Sequence, residues 1–305
     1  MLANSKKSFS DGVQFAWDAT SLDLAQTCMR KYYYSMILGV RPKEESVHLL
    51  FGGLYAAALE HFYKHRAAGD SIDDALRKVV KEALEASWDR ENNCPMTFEH
   101  TAKTRVNLIR TIVWYIEEFG DETEDGLVTY HLQTGEPAVE LSFSLEFSDE
   151  IIYRGHLDRV VSMAGNLYVM DQKTTGGTVG TYYFNNFSPS NQMSGYAFAG
   201  QAILHSPVSG VIIDAAQIAV NFTRFGRGIT TRSKDQLEEW FEGVLETISI
   251  ARDFTRRGVF PMNPTACGNY GGCPFRILCS RSPKVRDNFL KSDFVPHNWD
   301  PMEDR

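Results

Sequence analysis

The chain of 305 residues is short of several things, and each shortage narrows its class. No apolar run approaches the length of a bilayer-spanning helix, so no membrane partner is expected. The opening residues, MLANSKKSFSDGVQF, hold no apolar signal core, and a cytoplasmic location is expected. There are only five cysteines, an odd count. Without an export signal they are not expected to form a disulfide framework, which leaves metal binding or plain buried thiols. Internal repeats and low-complexity segments are missing. Positive charge is also scarce: 31 Lys and Arg against 39 Asp and Glu leave a net charge of −8, the wrong sign for a uniformly basic, non-specific nucleic-acid binder.

What is present is unevenly spread. From Val113 to Glu150 there are 11 acidic residues and no Lys or Arg, so the remainder of the chain carries +3. From Ala251 to Lys291 the local charge is +6. Screening confines each field to about 10 Å, so a basic tail can hold phosphate beside an acidic middle. Hydrophobic content of 43% and charged content of 23% suit a globular chain with a sizeable core.

Apolar spacing predicts helices over about 21–38 (capped by Ser21), 45–65, 72–90 and 98–119, the last with Val106, Ile109, Val113 and Ile116 on one stripe. Residues 120–126 read as a loop. Strands are expected over 138–147, 151–161, 167–173 and 211–223, with a short partner strand after Phe225-Gly226-Arg227-Gly228. Ser188-Pro189 reads as the start of a helix to about His205, and Ser233 with Gln236 as a capping box opening another to about Arg256. The order predicts an α/β (α+β) fold, a mixed central sheet flanked by helices with a helical N-terminal addition. The expected organisation is a flexible 1–20, a single domain over 21–290 and a tail over 291–305. Within that domain, 21–135 is helical, 136–260 is the sheet core and 261–290 is a cysteine cluster.

The most informative stretch is YRGHLDRVVSMAGNLYVMDQKTT, residues 153–175. Two alternating runs flank the turn Ala164-Gly165-Asn166, as in a β-hairpin. Asp158 lies in the first strand. Asp171 and Lys173 lie two apart in the second and share a face. Two carboxylates facing each other beside an ammonium suit a hard divalent cation, which accepts carboxylate oxygens and keeps some water. Taken alone, the same pattern also fits a solvated strand edge.

Gly155-His156-Leu157-Asp158 followed by Asp171-Gln172-Lys173 resembles the PD-(D/E)XK nuclease superfamily. That resemblance implies a restriction-endonuclease-like core and magnesium or manganese held by Asp158, Asp171 and the carbonyl of Gln172. Lys173 would orient the attacking water. Gln192 and Tyr196, four apart on the next helix, resemble the glutamine and tyrosine of the RecB-like branch, which help arrange the active site and the DNA. Phe51-Gly52-Gly53-Leu54-Tyr55-Ala56 through His61 resembles the family's G-x-x-x-H-x-x-x-E helix, with Ala56 where the ligating histidine stands. Glu60 or His61 would then reach the metal, or water would replace them. Glu140 sits on the strand before the hairpin, where the family often carries a glutamate; an exposed strand charge is the other reading.

Cys267, Cys273 and Cys279 fall within CGNYGGCPFRILC, and Cys28 opens Cys28-Met29-Arg30-Lys31-Tyr32-Tyr33. Neither half has the C-x2-C knuckles usual for structural zinc. One N-terminal and three C-terminal cysteines resemble the iron–sulfur nucleases, such as the AddB nuclease and the CRISPR-associated RecB-like exonucleases. Met29 departs from their proline, and the C-x5-C-x5-C spacing from their C-x2-C-x5-C. The resemblance implies a four-iron four-sulfur cluster, with zinc as the alternative, acting as a C-terminal clasp. Cys94 reads as a plain thiol.

The chain is thus expected to be a DNA exonuclease of recombination, repair or replication, from a bacterial or phage setting. It would act on single-stranded or duplex ends, with a helicase, recombinase or single-strand-binding protein as partner. Arg30, Lys31 and the basic tail would contact phosphate. Two rivals stand beside it: a catalytically weakened module that grips DNA ends in a recombination or packaging complex, and a zinc-stapled protein with no DNA role.

Overall fold

The computed structural model describes residues 9–10, 12–44, 46–297 and 299. The expectation of a loose segment over 1–8, and of a tail over 300–305, lies outside the described residues. In chain order the elements that matter here are β1 (Val13–Gln14), β2 (Ala16–Trp17), α1 (Ala19–Thr27), α2 (Val47–Ala67), α3 (Ile72–Ala86) and α4 (Arg105–Phe119). There follow β3 (Val128–Thr129), β4 (Val139–Ser148), β5 (Ile151–Met163), β6 (Asn166–Thr175), α5 (Thr181–Asn185) and α6 (Asn191–Leu204). Last come β7 (Val208–Ile218), β8 (Thr223–Thr230) and α7 (Lys234–Arg257).

Seven strands form one mixed sheet in the order β8-β7-β6-β5-β2, with β3 and β4 also pairing on β5. β5 and β6 are the expected antiparallel hairpin, with Met170 opposite Arg159. β6 and β7 run parallel, Asp171 beside Ile213 and Lys173 beside Ala215. A parallel pair needs a crossover, and α6 supplies it. The mixed sheet with flanking helices is the fold class expected from the residue pattern.

The chain divides into two compact units. The first comprises residues 1–44, 142–155 and 233–305. Val13–Trp17, expected to be loose, form strands there, because Trp17 is fully buried and stacks on Tyr32 at 5.6 Å. Helix α1 is capped by Asp18, with Ser21 as its reciprocal partner inside the first turn rather than as the cap. The helix expected to reach Leu38 breaks at Cys28, whose backbone is extended, and resumes over Met29–Tyr32 before a π-helical turn over Tyr33–Ile37. Gly155 lies under the ring of Phe143, where a Cβ would stand 2.7 Å from Cζ. The tail over 260–296 is folded, with Tyr33 stacked on Phe260 and Tyr34 on Phe275.

The second unit comprises residues 45–141 and 156–232. Helices α2, α3 and α4 pack into one apolar core with Ala216 and Ile218 of β7. On α4 the buried stripe is Leu108, Ile112, Tyr115 and Ile116, while Val106 is exposed. The stripe expected through Val106 had the right period on a neighbouring face, since α4 is apolar around much of its circumference. Residues 98–104 precede α4 as a capped loop, and α3 ends at Ala86. The acidic stretch expected as a loop contains a short helix over Glu122–Asp125. It serves one buried and one half-buried arginine: Glu122 pairs with Arg159 at 2.6 Å, and Asp125 with Arg227 at 2.5 Å. Pairing them answers the desolvation cost of two interior cations.

Candidate active site

The site grows from the alternation of β5 and β6. Met170 and Arg159 are partners on one face of the sheet, so Asp171 and Asp158 fall on the other, and Lys173 joins them two residues on. Helix α6 covers that face: a Cβ on Gly200 would stand 3.0 Å from Val169, which shares the face of Asp171. A right-handed crossover returns antiparallel to its strands, which carries the N-terminal turns of α6 to the C-terminal end of β6. Gln192, Tyr196 and Gly200 lie on one helical stripe. Gln192 Nε2 donates to Tyr196 Oη at 3.0 Å. The cap of α6 is Ser190 rather than Ser188, whose bond to Pro189 is cis.

The acidic pair is tightly held. Lys173 Nζ stands 2.7 Å from Asp171, and the Gln172 N–H donates to Asp158 Oδ2 at 2.9 Å. Burial raises the carboxyl of Asp158 to about 7, and repulsion from Asp171 adds to the shift. Burial also raises Asp171, against the pull of Lys173. Glu140 adds a third negative charge near Asp158. Its backbone is left-handed, with φ of 51°, a conformation costly for a residue with a side chain and concentrated at functional sites.

Two further groups were not singled out in the sequence. Tyr183 of α5 feels the charge of Asp171, and burial together with that charge raises its phenol to about 12. Lys103 is buried at 3% exposure, and its ammonium donates to Thr174 Oγ1 at 3.3 Å, on the residue after Lys173. A short aromatic run and a lysine in a helix-like pattern carry no local signal of such proximity.

The other expected ligands lie in pairs of their own. Glu60 accepts from Lys64 at 2.5 Å, and His61 Nδ1 is 2.9 Å from Glu82. Among the described residues no three His, Cys, Asp or Glu side chains form a group that could hold a metal ion. A hard cation of the magnesium type does not ask for a full protein cage, because it keeps several waters. Asp171 Oδ2 is buried and makes no aligned hydrogen bond; the Lys173 ammonium stands 2.7 Å from it, so a cation would share this carboxylate with the lysine.

A family model of the PD-(D/E)XK nuclease superfamily matches residues 16–280. The chain belongs to the PD-(D/E)XK nuclease superfamily. Members of this superfamily usually use magnesium or manganese, in keeping with the acidic pair. The chain also matches solved structures, two of them at TM-scores under 0.5. One is a protein from Eubacterium rectale named "Putative exonuclease", with 12% identity, a TM-score of 0.49, and coverage of 88% of this chain and 92% of that one. Another, named SSO0001, has 13% identity, a TM-score of 0.33, and coverage of 84% of this chain and 94% of that one. No curated protein sequence matches the chain. Among the described residues of this PD-(D/E)XK chain no helix is long and apolar enough to cross a membrane.

In the first unit, Cys28, Cys267, Cys273 and Cys279 line one cavity of about 270 Å³, with Lys31 and Phe275 at its wall. The Asn263 N–H points at Cys28 Sγ, 3.4 Å away. Burial raises the thiol of Cys279, and the nearby Cys273 and Cys28 add to the rise, while Arg30 opposes it. Arg30 itself is half-buried, its Nε donating to the Phe260 carbonyl at 2.7 Å. Cys94 is exposed and outside this set.

Proposed function

We propose that the chain is a magnesium- or manganese-dependent deoxyribonuclease that hydrolyses phosphodiesters from DNA ends, working in recombination, repair or replication. The observation that carries this is the pair of buried Asp171 and half-buried Asp158 on one face of the hairpin, with the Lys173 ammonium 2.7 Å from Asp171 and repulsion between the two carboxylates raising Asp158. Asp158, Asp171 and the carbonyl of Gln172 would hold the divalent ion. When bound, that ion would lower the pKa of an attacking water and offset charge on the phosphate. Lys173 would orient the water and stabilise charge that develops on the phosphoryl oxygens. Gln192 and Tyr196, already hydrogen-bonded to each other, would position the scissile strand. Arg30 and Lys31 would add phosphate contacts, which give affinity without sequence preference.

The four cysteines would hold an iron–sulfur cluster. Four thiols around one cavity support this, as does a backbone N–H directed at a sulfur. The role of the cluster would be a structural clasp.

The test is cleavage of end-labelled linear DNA and closed circular DNA, with manganese and magnesium titrated against a chelator. Metal-dependent loss of the linear substrate with the circle spared is the expected result. Cleavage that ignores the chelator, or none with any metal, overturns the proposal. One observation favours a second reading, the weakened DNA-end-binding module: Ala56 stands at the position of the family histidine, and Glu60 and His61 are engaged elsewhere. DNA binding without cleavage under every metal would select it.

A further inference from the structure

We propose that Tyr182 is a base-stacking residue, a platform for the nucleobase beside the scissile phosphodiester, which makes an unpaired strand the favoured substrate. This rests on the nuclease reading above.

The residues after the catalytic strand read Thr181-Tyr182-Tyr183-Phe184-Asn185-Asn186-Phe187, four aromatic rings in seven positions. Their roles divide. Tyr183 is half-buried, and the charge of Asp171 reaches it. Phe184 lies flat against β8, where a Cβ on Gly228 would come within 2.4 Å of its ring. On the same strand, a Cβ on Gly226 would meet Val179 at 2.7 Å. That strand is therefore stripped of side chains where the segment sits. Phe187 packs on Tyr183 with ring centroids 5.4 Å apart. Tyr182 alone turns outward, 87% exposed, the most exposed large hydrophobic side chain among the described residues.

A lone exposed ring is ordinary on a protein surface. The support beneath this one is not. Asn186 Nδ2 donates to the carbonyls of Tyr182 at 3.1 Å and Tyr183 at 3.0 Å. Arg232 grips the Phe187 carbonyl at 2.9 Å and Ser194 of α6 at 2.9 Å. The backbone under Tyr182 is thus tied to β8, to α6 and to its own next turn. Ordering a backbone costs conformational entropy, and the ring it presents recovers none of that within the chain. A nucleobase supplies the missing contact. Stacking uses the π-face that every base has, and only an unpaired base exposes that face to a side chain. Gly228, on which Phe184 sits, stands opposite Ile213, and Ile213 stands beside Asp171, so the segment lies in the row of the catalytic carboxylate two strands away, and the base that Tyr182 meets belongs to a nucleotide close to the cleaved bond.

The experiment uses the full chain with a single-stranded oligonucleotide carrying 2-aminopurine near its end, and a blunt duplex of the same sequence. Wild type is expected to quench 2-aminopurine on binding. Tyr182→Ala loses the quench and raises the single-strand KM about 10-fold, with a smaller effect on kcat. Tyr182→Trp restores both, and the duplex KM moves less than about twofold. The proposal is overturned if Tyr182→Ala keeps the quench and a single-strand KM within about twofold of wild type. No cleavage by wild type, with the Tyr182-dependent quench intact, removes the nuclease reading and keeps the platform. Cleavage by wild type with Tyr182→Ala indistinguishable removes the platform and keeps the nuclease.

Discussion

The hairpin carrying Asp158 and Asp171 and the cavity lined by Cys28, Cys267, Cys273 and Cys279 both gather groups that repel one another when ionised, yet they are built in opposite ways. In the hairpin, a short turn and strict alternation bring the carboxylates together, and a lysine two residues on neutralises part of the charge. The backbone ladder would hold this arrangement with or without an ion. In the cavity, one thiol comes from the N-terminal segment and three from the tail. Aromatic stacking of Tyr33 on Phe260 and Tyr34 on Phe275 brings those segments together. On the proposed reading a metal would supply chemistry in the first place and cohesion in the second.

The sharpest separation of the two should come from Asp171→Ala and Lys173→Ala. Each is expected to lower kcat by on the order of 10³-fold, with circular dichroism unchanged. Cleavage near the wild-type rate by either variant would make the hairpin a plain strand edge. The cavity should respond in the other sense. Cys28→Ala or Cys279→Ala is expected to lose iron, sulfide and visible absorbance, and to lower Tm by several degrees. Wild-type protein purified anaerobically without iron would reduce the clasp to its aromatic packing.

pH separates the regions further. The Asp158 carboxyl is raised by burial, so its protonated form stabilises the metal-free fold. That contribution is complete below the ordinary carboxylate range and is lost as pH rises through about 7. Metal-free Tm should therefore fall from about pH 4 to about pH 7 and level off above that, and Asp158→Asn should flatten the slope. Added magnesium should raise Tm more at the upper end, where it meets an ionised pair.

Glu140 offers a smaller test. Glu140→Gly should relieve the left-handed backbone by roughly 1 kcal/mol, seen as a higher Tm, while lowering cleavage through the lost carboxylate. Smallest is His61→Ala. If its pair with Glu82 is only a surface ion pair, stability changes by less than about 1 kcal/mol and metal affinity is unmoved. A large loss of metal affinity would make His61 a ligand in the metal-loaded enzyme.

Legibility followed sequence distance. Asp158, Asp171 and Lys173 share a face by alternation, and Gln192 with Tyr196 by helical spacing, so their grouping was readable. The partly buried pairs Arg159–Glu122 and Arg227–Asp125 were not, because a charged residue carries no mark of the partner that lets it enter a core. For the same reason residues 120–126 read as a loop. On α4, period alone could not choose between the stripe through Val106 and the one through Leu108, since the choice belongs to the surface it packs against.

Taken alone, the order of amino acids determined the mixed sheet, the hairpin and the face shared by two carboxylates and an amine, because backbone periodicity acts over a few residues. Only the tertiary structure decided that Asp171 is fully buried, that Lys103 reaches Thr174, that four distant thiols share one cavity and that Tyr182 faces solvent on an anchored base. Burial and proximity across long stretches of chain are properties of packing, and packing is settled by all the elements at once.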